Sequence, residues 1–206
     1  MKKLILNIIN GIAYIKHCKK VTLLHRDVLF YRTTSISLSY GATKENIVVD
    51  YRTRIHGHLI ACAEGVIHLG KYSQIGPDSV VGAVNRVEIG DYTAIARNVT
   101  IMDNNNHPVH PQDRLILRQT PANSKERSWI YSDNAPIKIG SNCWIGEKSR
   151  ICKGVTIGDG AVVAANSVVT KDVPANAIAA GNPARIVKTD IHLNSKRYFL
   201  DKDGQN

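Results

Sequence analysis

The sequence predicts an all-β solenoid of short parallel strands. Three observations carry this. An aliphatic residue recurs at every sixth place, a small or β-branched residue follows each four places on, and Gly, Asn or Asp lies beside the aliphatic positions. The run 139–174 is the most regular: Ile139, Ile145, Ile151, Ile157, Val163 and Val169 open successive hexads, and Cys143, Ser149, Val155, Ala161, Ser167 and Val173 take the small position. A fixed short period marks a solenoid. Two inward positions per hexad fit a strand and a corner, so three hexads make a triangular coil of about 18 residues that advances about 4.8 Å. Apolar residues at this spacing drift off any helical face, and Gly, Val and Thr are poor helix formers.

The chain divides into residues 1–66, an N-terminal helix with irregular first coils; 67–188, the regular core with a projecting loop at 108–136; and 189–206, a C-terminal tail. All belong to one domain. The opening KKLILNIINGIAYIKHCKK places Leu4, Ile5, Ile8, Ile9, Ile12 and Ile15 on one stripe between lysines. Its apolar part is too short to span a bilayer, and no signal-type cleavage site follows. Two placements stay open for this helix: packed on the solenoid end, or resting on an anionic membrane. The runs 21–24, 28–31, 47–49 and 59–63 read as strands of imperfect first coils, with His56 and His58 facing solvent.

The hexad returns with Leu69, Ile75, Val81, Ile89, Ile95 and Ile101. The step from Val81 to Ile89 is longer, so two residues bulge near Val84–Asn85. After Ile101 the repeat breaks at Asp-Asn-Asn-Asn-His107-Pro-Val-His110 and resumes at Ile139. The intervening loop carries Arg114, Arg118, Lys125, Arg127, Trp129 and Tyr131. A loop of this length in a regular solenoid points to function. Past Pro174 a last strand and a polar segment, Ile191–Gln205, cap the coil.

The chain has 206 residues and a net charge of +10. No arginine-rich run or nucleic-acid motif accompanies that charge, so an acidic glycan or a phosphorylated small molecule is the expected partner rather than nucleic acid. Cys18, Cys62, Cys143 and Cys152 lack metal-ligand spacing and read as free thiols of a reducing cytoplasm.

The hexads, Asn-His-Pro-Val before the long loop, Trp-Ile-Gly at 144–146 and the closing Ala-Gly-Asn-Pro-Ala-Arg resemble the hexapeptide-repeat acetyltransferases. The closest resemblance is to the O-acetyltransferases of sugars and bacterial polysaccharides, over about Leu69 to Lys188. That resemblance implies a left-handed parallel β-helix, a homotrimer with active sites between subunits, and acetyl-CoA as donor without a metal. It implies His107 as the general base, since imidazole titrates near working pH, with Asp103 or an Asn of 104–106 orienting it. It puts the Glu147 backbone N–H at the oxyanion, where relatives carry a small polar residue. Gly146, Ala164, Ala165, Thr170 and Lys171 fall on the donor-binding pattern, and Arg185 and Lys188 on the phosphate-binding one. Asn105 and Trp144 fall on the acceptor side, Trp144 equally suiting a subunit contact.

Two departures bear on the acceptor. The simple-sugar enzymes carry an acidic residue in the eight-residue step, where this chain has Gly82-Ala-Val-Asn-Arg86, and their usual N-terminal helical segment is lacking. The expected activity is therefore O-acetylation of a polysaccharide or its sugar precursor in the cytoplasm, at the inner face of the membrane if α-helical contact is made there. N-acetylation of an amino-sugar nucleotide, xenobiotic acetylation and a non-catalytic scaffold are the alternatives. A zinc enzyme is disfavoured because His68, His107 and His110 do not occupy equivalent positions one coil apart.

Overall fold

Alternating inward side chains force the chain into three flat faces. The computed structural model describes residues 2–122 and 124–193. Face 1 runs from Thr22–Leu23 through Ile47–Val49, Val66–Leu69, Arg86–Ile89 and Ile137–Ile139 to Thr156–Ile157. Face 2 runs from Leu29–Phe30 through Arg54–Ile55, Gln74–Ile75, Ala94–Ile95 and Trp144–Ile145 to Val162–Val163 and Ile178–Gly181. Face 3 runs from Ser35–Ser39 through His58–Cys62, Val80–Ala83, Thr100–Met102 and Arg150–Ile151 to Val168–Val169. All these strands pair in parallel with the coil above and below. On face 2 one aliphatic residue per coil fills the interior: Ile55, Ile75, Ile95, Ile145 and Val163 stack in register and are buried. Face 1 buries two per coil, as Ile67 with Leu69 and Ile137 with Ile139.

The small inward positions also act as ties between coils. The Thr93 hydroxyl donates to Gly140 O at 2.7 Å and accepts from Cys143 N at 3.0 Å. Ser79 does the same one corner on, donating to Ala96 O at 2.6 Å and accepting from Val99 N at 3.0 Å. Cys143 continues the Thr93 column with its thiol on Gly158 O at 3.1 Å. Burial pushes that thiol's pKa up, which fits a packing role and not a reactive one.

Parallel pairing begins at Thr22, so the first coils obey the same three-face rule as the regular hexads. They are longer: Ile55, Ile75 and Ile95 are spaced by twenty residues, Ile145 and Val163 by eighteen. The extra residues all leave at the corner from face 3 to face 1. The Val84–Asn85 bulge is one instance; a coil earlier the span between Leu59 and Ile67 is longer still, and the step from Ile55 to Leu59 is correspondingly shorter than that from Ile75 to Val81. The long loop occupies this same corner one coil later.

That loop contains helix α2 (Pro111–Gln119), with Leu117 buried, and two short 3-10 turns. Its distal part folds back on the body rather than projecting freely. The Ser128 hydroxyl lies 3.3 Å from the Cys62 thiol. A Cβ on Gly82 would come within 3.2 Å of the Trp129 ring and 2.4 Å of the Met102 sulfur, so glycine at 82 makes room for both.

Helix α1 (Lys2–His17) closes the first end. Ala13 is buried, and Tyr14 and His17 pack their rings at 6.0 and 5.8 Å from Phe30. Ile12 and Ile15 remain exposed; the earlier half of the stripe, Leu4 to Ile9, lies outside the described side chains. At the other end Ala184–Lys188 turns back antiparallel on Ile178–Gly181. The expected tail segment beyond Leu193 lies outside the described residues.

Two outcomes follow from this packing. Thr93→Val keeps the shape but leaves Gly140 O and Cys143 N unpaired, and should lower stability by about 1–3 kcal/mol in urea unfolding; an unchanged midpoint would contradict the role of the hydroxyl ties. His17 is held below its ordinary pKa of 6.5, foremost by burial and then by Lys16 and Lys20. The fold accommodates the neutral ring while the unfolded chain takes up the proton. Stability should therefore fall as pH drops through about 6.5, and His17→Gln should flatten the curve between pH 7.5 and 5.5.

Candidate active site

The corner from face 2 to face 3 is regular and carries the expected donor-side residues. Gly146 and Glu147 sit one coil above Ala164 and Ala165, in a cavity of about 480 Å³ walled by Trp144 and Ala96. Trp144 is 59% exposed and stands on face 2 in register with Ala94 and Val162. The neighbouring coil itself explains the glycine: a Cβ on Gly146 would lie 2.5 Å from Ala165 N and 2.7 Å from Val163 O. Gly146 is thus needed for coil spacing, whatever it also does for a ligand. The flanking amides are bound, Gly146 N to Val163 O at 2.8 Å and Lys148 N to Arg97 O at 3.1 Å. Glu147 N–H donates to no acceptor among the described residues, so it is available to an oxyanion. The Glu147 side chain is turned to Lys148 Nζ at 3.6 Å.

Lys171 and Arg185 meet at a different place, lining a cavity of about 180 Å³ at the C-terminal end of the solenoid. Thr170 and Lys188 are exposed nearby, Lys188 opposite Ile178 on the antiparallel strand.

His107 lies on the third corner, at the root of the loop, with its ring exposed. The segment before it is tightly held. Asp103, fully buried, accepts from Val84 N at 3.0 Å and Asn85 N at 2.8 Å. It also accepts from the Asn104 amide at 2.9 Å. That bond fixes which way the Asn104 side chain faces, and its oxygen accepts Asn106 N at 2.9 Å. Asn106 takes a left-handed φ of 65°, a conformation Asn tolerates, and the chain reverses there to deliver His107. The return strand closes the root: Asn105 N donates to Asp133 O at 3.1 Å, and Asn105 Nδ2 lies 3.4 Å from the Asp133 carboxylate. Asp103 therefore serves the backbone of the Val84–Asn85 bulge and not the imidazole directly. Sequence reasoning had grouped 103–106 loosely; the signal in hindsight is a carboxylate placed right after a buried strand beside a bulge two strands back.

Within one chain, then, the donor-side corner and His107 occupy different edges of the prism. The sequence brings Trp144, Gly146, Glu147, Ala164 and Ala165 together and leaves His107 with Asn105 apart from them.

Residues 136–171 match a family described as the hexapeptide repeat of succinyl-transferase. Galactoside O-acetyltransferase of Escherichia coli is 38% identical over 134 residues, covering 65% of this chain and 59% of that protein. A putative lipopolysaccharide biosynthesis O-acetyl transferase of the same organism, WbbJ, is 32% identical over 134 residues, covering 65% and 66%. A putative acetyltransferase of Staphylococcus aureus is 47% identical over 77 residues, covering 37% and 39%. The chain spans less than two thirds of these relatives' length. Among solved structures, the polySia specific acetyltransferase NeuO superposes with a TM-score of 0.65 at 28% identity, over 86% of this chain and 70% of that one. The N-acyltransferase AntD from Bacillus cereus, bound to dTDP-4-amino-4,6-dideoxyglucose and coenzyme A, gives 0.65 at 21% identity over 92% and 91%, and shares the fold.

Removing the tie before His107 should loosen the loop. Asn104→Ala is expected to cost about 1–3 kcal/mol and to speed limited proteolysis within 106–133; a loop cut at the wild-type rate would argue against this anchoring.

Proposed function

We propose, from its likeness to hexapeptide-repeat acetyltransferases, that the chain is an acetyl-CoA-dependent O-acetyltransferase. Its acceptor on this reading is a hydroxyl of a polysaccharide or of its sugar precursor. The observation that carries the reading is the donor-side corner: an open groove of about 480 Å³ floored by Gly146, Ala164 and Ala165, with an unbonded amide at Glu147. Small residues and a spare N–H are what a thioester arm and a developing oxyanion require. O-acetylation is favoured over N-acetylation because two O-acetyl relatives share 38% and 32% identity with the chain.

In this mechanism the His107 imidazole takes the proton of the acceptor hydroxyl as its oxygen attacks the thioester carbonyl carbon. The Glu147 N–H donates to the oxyanion of the tetrahedral intermediate. As the C–S bond breaks, His107 returns the proton to the departing thiolate, so free coenzyme A leaves and no acyl-enzyme forms. Lys171, Arg185 and Lys188 supply positive charge for the donor's phosphates, with Thr170 beside them. Trp144 walls the acceptor side, and Asn105 borders it next to His107.

Because His107 and Glu147 lie on different edges of one chain, a working site needs a second copy to bring them face to face. A left-handed β-helix assembled as a trimer meets that need, each groove closed by the neighbour's His107 corner. No helix among the described residues is long and apolar enough to cross a membrane. The exposed Ile12 and Ile15 beside Lys16 leave α1 suited to peripheral contact at the inner membrane face of the cytoplasm.

His107→Ala should lower acetyl transfer by about 10²–10⁴, read as free thiol released with sugar and glycan acceptors, while acetyl-CoA binding stays nearly intact. Turnover at the wild-type rate in that variant would sink the mechanism. Transfer to an amino-sugar nucleotide in preference to any hydroxyl acceptor would redirect it to nitrogen.

A further inference from the structure

A second concave site lies away from this groove, at the corner from face 1 to face 2 on the first coils. Its volume is about 430 Å³, and Asp27, Arg52, Arg54, Tyr72 and Gln74 contribute to its lining. We propose that this corner, together with the Tyr72–Tyr92 stack beside it, docks an acidic oligosaccharide. The choice of a glycan rests on the O-acetyltransferase reading; the site rests on its own geometry.

The corner is built from residues that its backbone does not favour. Arg52, Tyr72, Tyr92, Asn142, Gly160 and Asn176 occupy equivalent places on successive coils, all with left-handed φ between 53° and 67°. Their amides link coil to coil, as Tyr72 N to Tyr51 O at 2.8 Å and Asn142 N to Asp91 O at 2.7 Å. Asn and Gly accept this conformation readily, whereas other side chains lose about 1–2 kcal/mol there. The later coils use Asn and Gly, and the early coils use Arg and two tyrosines. Burial does not compensate, since Tyr72 is 41% and Tyr92 59% exposed. Their packing is confined to one another on the surface, with none of it into the core, and such strained residues held at an open corner point to a ligand.

What they present is a recognition surface. The Tyr72 and Tyr92 rings stack with centroids 5.1 Å apart and planes within 7°. Tyr51 meets Tyr72 edge-on at 5.4 Å. The Arg52 guanidinium stands 5.2 Å from the Tyr51 ring and is pinned by the Asp27 carboxylate at 2.9 Å. Arg54 is exposed and makes no ion pair among the described residues. The exposed Tyr92, backed on one face by Tyr72, suits the C–H face of a pyranose, and a guanidinium without an ion-pair partner among the described residues suits a sugar carboxylate through paired hydrogen bonds. The chain's +10 charge favours such a ligand's approach.

The site also connects to the groove. Arg54, Gln74, Ala94 and Trp144 share one outward register position on face 2. Three coil steps separate the first from the last, about 14 Å at the usual strand spacing. Ala94 leaves the middle of this track low. An oligosaccharide held at Arg54 and the tyrosines reaches Trp144 along it.

The test is direct binding, by calorimetry, of hexagalacturonate, a sialic acid hexamer and neutral maltohexaose to the full chain. At least one acidic hexamer should bind more tightly than maltohexaose. The Tyr72→Asn/Tyr92→Asn double variant should melt no lower than wild type, because Asn suits the left-handed φ, yet lose about tenfold or more in affinity. Arg54→Gln should remove the preference for acid. Binding of neither acidic hexamer, equal binding of the neutral one, or undiminished affinity in the double variant overturns the proposal. A double variant that dissociates the assembly while keeping its affinity also overturns it, making the stack a subunit contact. Acetyl transfer to a monosaccharide, measured alongside, should persist in the double variant. Its absence from the wild type would count against the O-acetyltransferase reading alone.

Discussion

Every coil of this protein has to deliver its chain back to the same three edges, because a parallel strand finds hydrogen-bond partners only in the coil above and the coil below. A one-residue slip would turn the interior aliphatic residues outward. The buried hydroxyls of Ser79 and Thr93 reinforce that registry, each donating to one carbonyl of the following coil and accepting one of its amides. With only one or two large side chains per face and coil inside, there is little room for adjustment. Sequence variation is pushed to the edges, and there to the one edge where Val84–Asn85 and the long loop leave the body.

This division of labour shapes the chemistry. The regular edge keeps a constant backbone, and with it an amide at Glu147 whose direction is set by the coil and not by a flexible side chain. The irregular edge holds a histidine, but on a backbone pinned by the buried carboxylate of Asp103 and the amide of Asn104. Both groups are preorganised, on separate edges of one prism. On the proposed mechanism, bringing them together is a matter of how prisms pack side by side, and not of any movement within a chain.

The hexads were legible because a narrow interior lets each inward position speak for itself. Ile139 to Val173 could be read residue by residue, and the donor-side corner with it. The twenty-residue length of the first coils was harder to see, since two added residues at one corner break the count without changing the register. With it went the column Arg52, Tyr72 and Tyr92, which is periodic only at that length. The return of the loop onto face 3 left no local trace: Trp129 over Gly82 and Ser128 against Cys62 are contacts between distant segments. Asp103 read as a neighbour of His107 because sequence order suggested it, whereas its acceptor sites are taken by amides nearly a coil earlier.

The strand Ala184–Lys188 runs against the direction of every other strand beside it. A parallel solenoid that simply stopped would present a bare edge, shaped to receive the first coil of another copy, and nothing in such a head-to-tail contact limits its length. Reversing the last strand on face 2 offers an incoming chain the wrong hydrogen-bond pattern, and Arg185 and Lys188 add like charge to it. On face 2 the hairpin thus works against head-to-tail growth, in keeping with the side-by-side assembly proposed above.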